Sequence, residues 1–197
     1  GEAVAGNQWV PPTSSFYTKS NPVPKRDVAK AKALLKEAGV TNPSFTLMTP
    51  TTSDAQKIAQ VVQAMAKEAG LDVKLQSTAF ATSLNLADQG EFDAYVLAWS
   101  GRADPDGNIY SFMACKQPLN YSGYCKPEVD ALLNEARSKQ TVADRLKAYA
   151  QVDNYRQKDN PIVYLYHRNW LWAYNAKLTG GREVPDGLPR LAGLKLN

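Results

Sequence analysis

Residues 43–76 read PSFTLMTPTTSDAQKIAQVVQAMAKEAGLDVKLQ, and their periodicity decides the fold. Phe45 and Leu47 stand two apart, the spacing of a half-buried strand. Ser53 or Asp54 offers an N-cap, and Ile58, Val61, Val62, Met65 and Ala69 then fall on one helical face that Gly70 ends. Leu71, Val73 and Leu75 return to strand spacing. Strand, helix and strand in so short a stretch form a βαβ unit, whose two strands run parallel through a right-handed crossover. The class is therefore α/β, with a mostly parallel sheet flanked by helices.

The pattern extends in both directions. Asp27 caps a helix carrying Val28, Ala31, Leu34, Leu35 and Ala38, stopped by Gly39. Phe80 to Gly90 reads as a short helix. Phe92 to Trp99, apolar almost throughout, reads as a third and central strand. Lys126-Pro127 opens a helix with Val129, Leu132, Leu133 and Ala136 inward, and Ala143 to Lys158 makes a longer one. Ile162 to Tyr166 and Leu171 to Tyr174 are expected as strands. Before Asp27, with Pro11, Pro12, Pro22 and Pro24, the chain reads as an extended lead-in, unusual at the start of a self-standing domain. An N-terminal neighbour is expected to be missing.

The composition is ordinary for a globular chain of 197 residues, with 44% hydrophobic and 21% charged side chains. Its 23 basic and 19 acidic residues, net +4, are interspersed, which argues against a nucleic-acid tail or a polybasic membrane patch. Tyr164, Tyr166, Arg168, Trp170, Trp172 and Tyr174 share one face of an extended segment, but core packing accounts for that pattern without RNA. Gly1 to Gly6 lacks the pattern of a signal peptide, and no apolar run approaches a membrane span.

The chemistry concentrates in Trp99-Ser-Gly-Arg-Ala-Asp-Pro-Asp-Gly-Asn108. A calcium loop starting at Asp104 fails on spacing, since its sixth and twelfth positions are Ile109 and Cys115 rather than glycine and glutamate. No nucleophile elbow, zinc-protease helix or phosphate loop occurs, so no catalytic residue, metal site or cofactor is assigned. The sole histidine, His167, reads as a hydrogen-bonded structural group. Two readings of Arg102 stay open. It presents its planar fork to an anionic ligand beside the apolar wall of Trp99, or it forms a surface pair with Asp104 or Asp106. Cys115 and Cys125 bracket KQPLNYSGY, and the spacing allows either a short disulfide loop or two unlinked thiols.

Taken in order, VAKAKALLKEAG (28–39), Trp99-Ser-Gly with Asp104-Pro-Asp106, Asn120-Tyr-Ser122, KPEVDALL (126–133), Arg145 to Tyr149 and Asp159-Asn-Pro-Ile162 resemble the periplasmic dipeptide/oligopeptide-binding family. These are the solute receptors of ABC importers. The resemblance runs over nearly the whole chain and implies a non-enzymatic, periplasmic receptor fragment. It implies the C-terminal lobe of a two-lobed, type II-like binding protein. Residues 1–166 would be the second lobe, with a hinge strand near Ile162 to Tyr166. Residues 167–197 would return to complete the first lobe, their sheet partners lying in its absent N-terminal half. The implied partners are a peptide or peptide-like solute held between lobes, the N-terminal lobe and the importer's membrane permease, with no nucleic acid. The family also favours a Cys115–Cys125 disulfide.

The resemblance places Trp99, Arg102, Asp104, Asn120 and Tyr121 at the ligand cleft. It also carries a departure. The peptide binders hold the ligand's free amino group with an acidic residue shortly after the tryptophan. Here Arg102 takes that place, in a loop one residue shorter, and a cation cannot hold an ammonium group. Either the solute offers an anionic group to Arg102, or a shifted register returns the acidic role to Asp104. The competing readings are the same fold on a non-peptide solute, such as an opine-like conjugate or small organic acid, and a stand-alone protein-interaction domain.

Overall fold

In the computed structural model, which describes residues 3–182, 184 and 186–197, the chain divides into two compact units. One is Lys25–Trp99; the other joins Gly1–Pro24 to Ser100–Asn197.

Lys25–Trp99 contains the βαβ unit. Helix α1 (Val28–Glu37) starts where Asp27 accepts the Lys30 N–H at 2.8 Å and ends before Gly39, whose positive φ of 66° suits a residue without a side chain. Strand β2 (Ser44–Pro50), helix α2 (Ser53–Glu68) and strand β3 (Asp72–Thr78) follow, the strands parallel with Phe45 opposite Val73 and Leu47 opposite Leu75. The α2 N-cap is Thr52 rather than Ser53 or Asp54, and no side-chain bond closes it. Helix α3 (Phe80–Gln89) ends at the left-handed Gly90.

Strand β4 is only Ala94–Tyr95, parallel to β2, followed by one further backbone bond from Val96 N–H to Met48 C=O. The sheet order is β3-β2-β4, so the expectation of a central strand at 92–99 is corrected: β2 is the middle strand. It is hydrogen-bonded on both sides, and Leu47, Met48 and Thr49 are all buried. Leu47, Ala59 and Val73 form the core, with Phe45, Val62, Ala66, Leu71, Leu75, Ala94 and Val96 around them. Helix α1 contributes no buried residue to it, and Leu34 is 53% exposed.

The second unit is built on helices. Helix α4 (Asp106–Met113) was not expected from the sequence. Helix α5 (Pro127–Ser138) begins with Pro127 in the first turn, where a missing N–H has no intrahelical partner to lose. Helix α6 (Val142–Asp159) is capped by Thr141, whose hydroxyl accepts the Asp144 N–H at 3.1 Å and donates to the Asp144 carboxylate at 2.8 Å. Ile109, Met113, Val129, Leu133, Ala136, Ala148, Tyr149 and Val152 make the core.

The lead-in is part of that core, a second correction. Asn7, Gln8, Trp9 and Val10 are all buried, and Trp9 meets Tyr149 edge-on at 5.9 Å between ring centroids. Polar side chains satisfy the backbone that has no regular partner there. Gln8 donates to the Thr18 carbonyl at 2.6 Å and accepts the Thr18 N–H at 3.1 Å. Asn7 donates to the Asn21 carbonyl, and Asn21 donates to Asp153 at 2.6 Å. Asp153 is fully buried and pairs with Arg156 at 2.8 Å, a charge that burial alone would make unfavourable.

Strand β1 (Ala3–Ala5) pairs antiparallel with β5 (Tyr166–Arg168). The expected strand at 162–166 thus starts later, and no strand forms at 171–174. Leu178–Thr179 (β6) and Lys195–Leu196 (β7) make a short antiparallel ribbon. At Gly187, a Cβ would fall 1.9 Å from the Trp170 ring, so only glycine allows that close approach.

Candidate functional site

The chain leaves β4 through Trp99, 44% exposed at the end of the first unit, and turns at Gly101, whose φ of 81° disfavours any side chain. Asn108, buried on α4, closes the turn by pairing with the Arg102 backbone. Its Oδ1 accepts the Arg102 N–H at 2.6 Å, and its amide donates to the Arg102 carbonyl at 2.8 Å. Gly107 leaves room for the Arg102 stem, since a Cβ there would lie 2.9 Å from Arg102 Cγ. The guanidinium donates through Nη1 to the Gly101 carbonyl at 2.6 Å and to Ser100 Oγ at 2.9 Å.

The two aspartates take arginines from other helices, not Arg102. Arg145 on α6 grips Asp104 with both terminal nitrogens, at 2.9 and 2.7 Å, and donates to the Tyr149 hydroxyl at 3.2 Å. Its guanidinium also lies 4.9 Å from the Phe16 ring centroid. This hydrogen-bonded cation holds the Asp104 carboxyl below the ordinary carboxylate range, against the opposing effect of burial. Asp104 also accepts the Asp106 N–H at 2.9 Å, which fixes the first turn of α4. Arg137 on α5 lies 3.3 Å from Asp106 and stacks 4.0 Å over the Tyr110 ring centroid. Burial raises the Asp106 carboxyl, with Arg137 pulling the other way. Asp104, Asp106, Arg137, Lys139 and Arg145 line an open polar cavity of about 240 Å³.

Asp186, on a C-terminal turn, is a further charge in the field of Arg102. Its carboxyl is held low first by the Leu188 N–H, then by Arg190 and least by Arg102. Asn108 closed the quoted stretch without a role assigned to it, and nothing in the sequence connected Asp186 with Arg102. Arg145 stood within the quoted Arg145 to Tyr149 motif, but nothing local marks it as the partner of a residue 41 positions away.

The disulfide Cys115–Cys125 is formed, with 4.6 Å between Cα atoms. Inside its loop, Asn120 donates to the Ala114 carbonyl at 2.9 Å and the Tyr124 carbonyl at 2.6 Å, and accepts from Ser122 Oγ at 2.9 Å. Tyr121, half-buried, follows it directly. The loop is anchored to α5 by the Cys115 N–H on Asp130 at 2.9 Å, and to α6 by the Tyr124 hydroxyl on Asp159 at 2.8 Å. Among the described residues, no three His, Cys, Asp or Glu side chains assemble as metal ligands, and no helix is long and apolar enough to cross a membrane.

The family model for bacterial extracellular solute-binding proteins, family 5 Middle, matches residues 1–120. The chain is 32% identical over 164 residues to di/tripeptide-binding protein 4 of Pseudomonas aeruginosa, covering 79% of this chain and 31% of that protein. Among solved structures it is similar to the oligopeptide-binding protein AppA of Bacillus subtilis in complex with a nonapeptide. That match has 28% identity and a TM-score of 0.81, and covers 98% of this chain and 43% of AppA. The ABC transporter-associated periplasmic binding protein DppA of Helicobacter pylori, in complex with the peptide STSA, matches at 26% identity and a TM-score of 0.81. It covers all of this chain and 40% of its own. The chain spans about a third of the length of the curated relatives it matches.

Proposed function

We propose a receptor role for this chain, which belongs to the family 5 bacterial extracellular solute-binding proteins: it is the C-terminal lobe of a periplasmic receptor that delivers a peptide or peptide-like solute to an ABC importer. The observation that carries this reading is the likeness to peptide-bound receptors along almost the whole chain, at more than a quarter of positions identical. Residues 1–166 act as the second lobe and 167–197 as the segment that completes the first. Apolar side chains left exposed in and just before that segment support the assignment. Leu171 and Leu191 are each 75% exposed and Leu196 is 74% exposed, more aliphatic surface than a short tail keeps without cover.

Trp99, Arg102, Asp104, Asn120 and Tyr121 are the proposed solute region. Within it the solute group beside Arg102 is proposed to be anionic. Asp104 already has its charge matched by Arg145 through two hydrogen bonds, which leaves it a poor partner for an ammonium group. Arg102 is held by its backbone at the place where the peptide binders carry an acid.

The test is a thermal-shift screen of the complete receptor, wild type beside Arg102→Ala. The probes are dialanine, N-acetyl-dialanine, succinate and opine-type conjugates. A solute at a hundred times its dissociation constant adds about 2.7 kcal/mol. The expected result is stabilisation of wild type by an anionic probe without a free amino group, lost in the variant. Equal stabilisation of both proteins by dialanine would overturn the role of Arg102. No stabilisation by any probe would count against the receptor reading.

A further inference from the structure

We propose that Asn120 is a positioning residue that duplicates the disulfide, so that the loop carrying Tyr121 is closed at its base by two independent links. The amide of Asn120 donates to the carbonyls of Ala114 and Tyr124, at 2.9 and 2.6 Å. These are the residues immediately before Cys115 and Cys125, so the covalent bond and the side-chain amide join the same two points of the chain. The remaining polar atom, Oδ1, accepts from Ser122 at 2.9 Å. Turn bonds complete the loop: Asn120 N–H to the Gln117 carbonyl at 3.0 Å, and Gly123 N–H to the Asn120 carbonyl at 3.1 Å. Gly123 supplies the left-handed φ of 65° that this return requires.

Closing a loop costs conformational entropy once. A second link between the same points adds little further ordering cost, and it holds the loop when the first is cut. Loss of either link alone therefore leaves the loop in place, whereas loss of both releases it. The two effects are coupled rather than additive. With Asn120 present, thiol reductants change the presentation of Tyr121 only modestly. Without Asn120, it becomes dependent on the disulfide. In the reduction step, dithiothreitol supplies two electrons and two protons, the S–S bond becomes two thiols, and the reagent closes to its cyclic disulfide. The consequence for binding rests on the reading that this loop faces the solute; the double link itself does not.

Amide hydrogen exchange over residues 115–125 tests the proposal in the complete receptor, wild type and Asn120→Ala, each oxidised and reduced by dithiothreitol. A Cys115→Ala/Cys125→Ala pair, with and without Asn120→Ala, provides the same cycle without reductant. The expected result is a modest rise in exchange for each single loss. The double loss should exceed the product of the two by about tenfold, within the usual range for residues that share one constraint. Effects that multiply without excess, or full release of the loop by Asn120→Ala alone, would overturn the proposal. The affinity for dialanine and N-acetyl-dialanine is followed in the same four states, and helix α5 exchange serves as the control. Affinity that falls further on reduction in Asn120→Ala than in wild type, with α5 unchanged, supports a positioning role beyond general stability. Release of the loop with affinity unchanged leaves the double link standing and counts against Tyr121 as a solute contact.

Discussion

Helix α5 and the segment after residue 162 are both rich in apolar side chains, yet they meet opposite fates. Val129, Leu133 and Ala136 are completely buried against α4, α6 and the lead-in. Val163, Leu165, Leu171, Leu191 and Leu196 stay exposed. The difference lies in partners rather than composition. Helix α5 shows its stripe to neighbours that the chain supplies, whereas among the described residues the late segment packs Tyr164 on that core and otherwise pairs three residues with β1 and two in a ribbon. On the proposed reading, so little cover marks where the rest of the receptor would pack.

The sharpest way to break this contrast is to truncate one leucine from each region. Leu133→Ala empties a fully buried site and should lower stability by about 2–5 kcal/mol in urea melts. A loss below about 1 kcal/mol would show that the α4–α6 core is looser than its burial implies. The second test concerns the boundary between the regions, at His167. Burial lowers its pKa below the ordinary 6.5, while a hydrogen bond with the Gln8 backbone opposes the shift. Between the folded and unfolded values the unfolded chain binds more protons, so the contribution of His167 is complete above about pH 6.5 and declines as pH falls below it. As the sole histidine, it should account for a small slope between pH 7 and 5 that His167→Asn removes. A slope that persists unchanged in the variant would refute that assignment. The smallest effect is expected at Leu171→Ala, within about 0.5 kcal/mol in the chain by itself. In the complete receptor the same change should exceed about 1 kcal/mol, because a covered leucine loses its burial. Equal small losses in both settings would remove the argument that the late segment is covered.

What the sequence disclosed follows the range of the interactions. The βαβ unit was legible because its period-two strands and its helical stripe are encoded within one short stretch, as is the Asp27 cap on Lys30. Helix α5 was legible for the same reason. Helix α4 was not, since Asp104-Pro-Asp-Gly107 carries turn residues, and it is Asp104 accepting the Asp106 N–H that starts the helix. Trp9 and Val10 gave no periodic signal, because what buries them is Tyr149 and its neighbours far along the chain. The late start of β5 likewise follows from a partner at the opposite end of the sequence. At the candidate site, the turn and its residues were visible, and the ion pairs were not. Which arginine meets Asp104 depends on where α6 lies, and no local pattern states that.

Calorimetric titration of dialanine and N-acetyl-dialanine into the complete receptor and into this chain by itself is the most direct test of the cleft. If the chain is one wall of a cleft, the complete receptor binds one of the two probes and the chain binds it at least about a hundredfold more weakly, some 2.7 kcal/mol of lost contact. Binding by the chain as tight as by the complete receptor would contradict the account, because the solute site would then lie wholly within these residues.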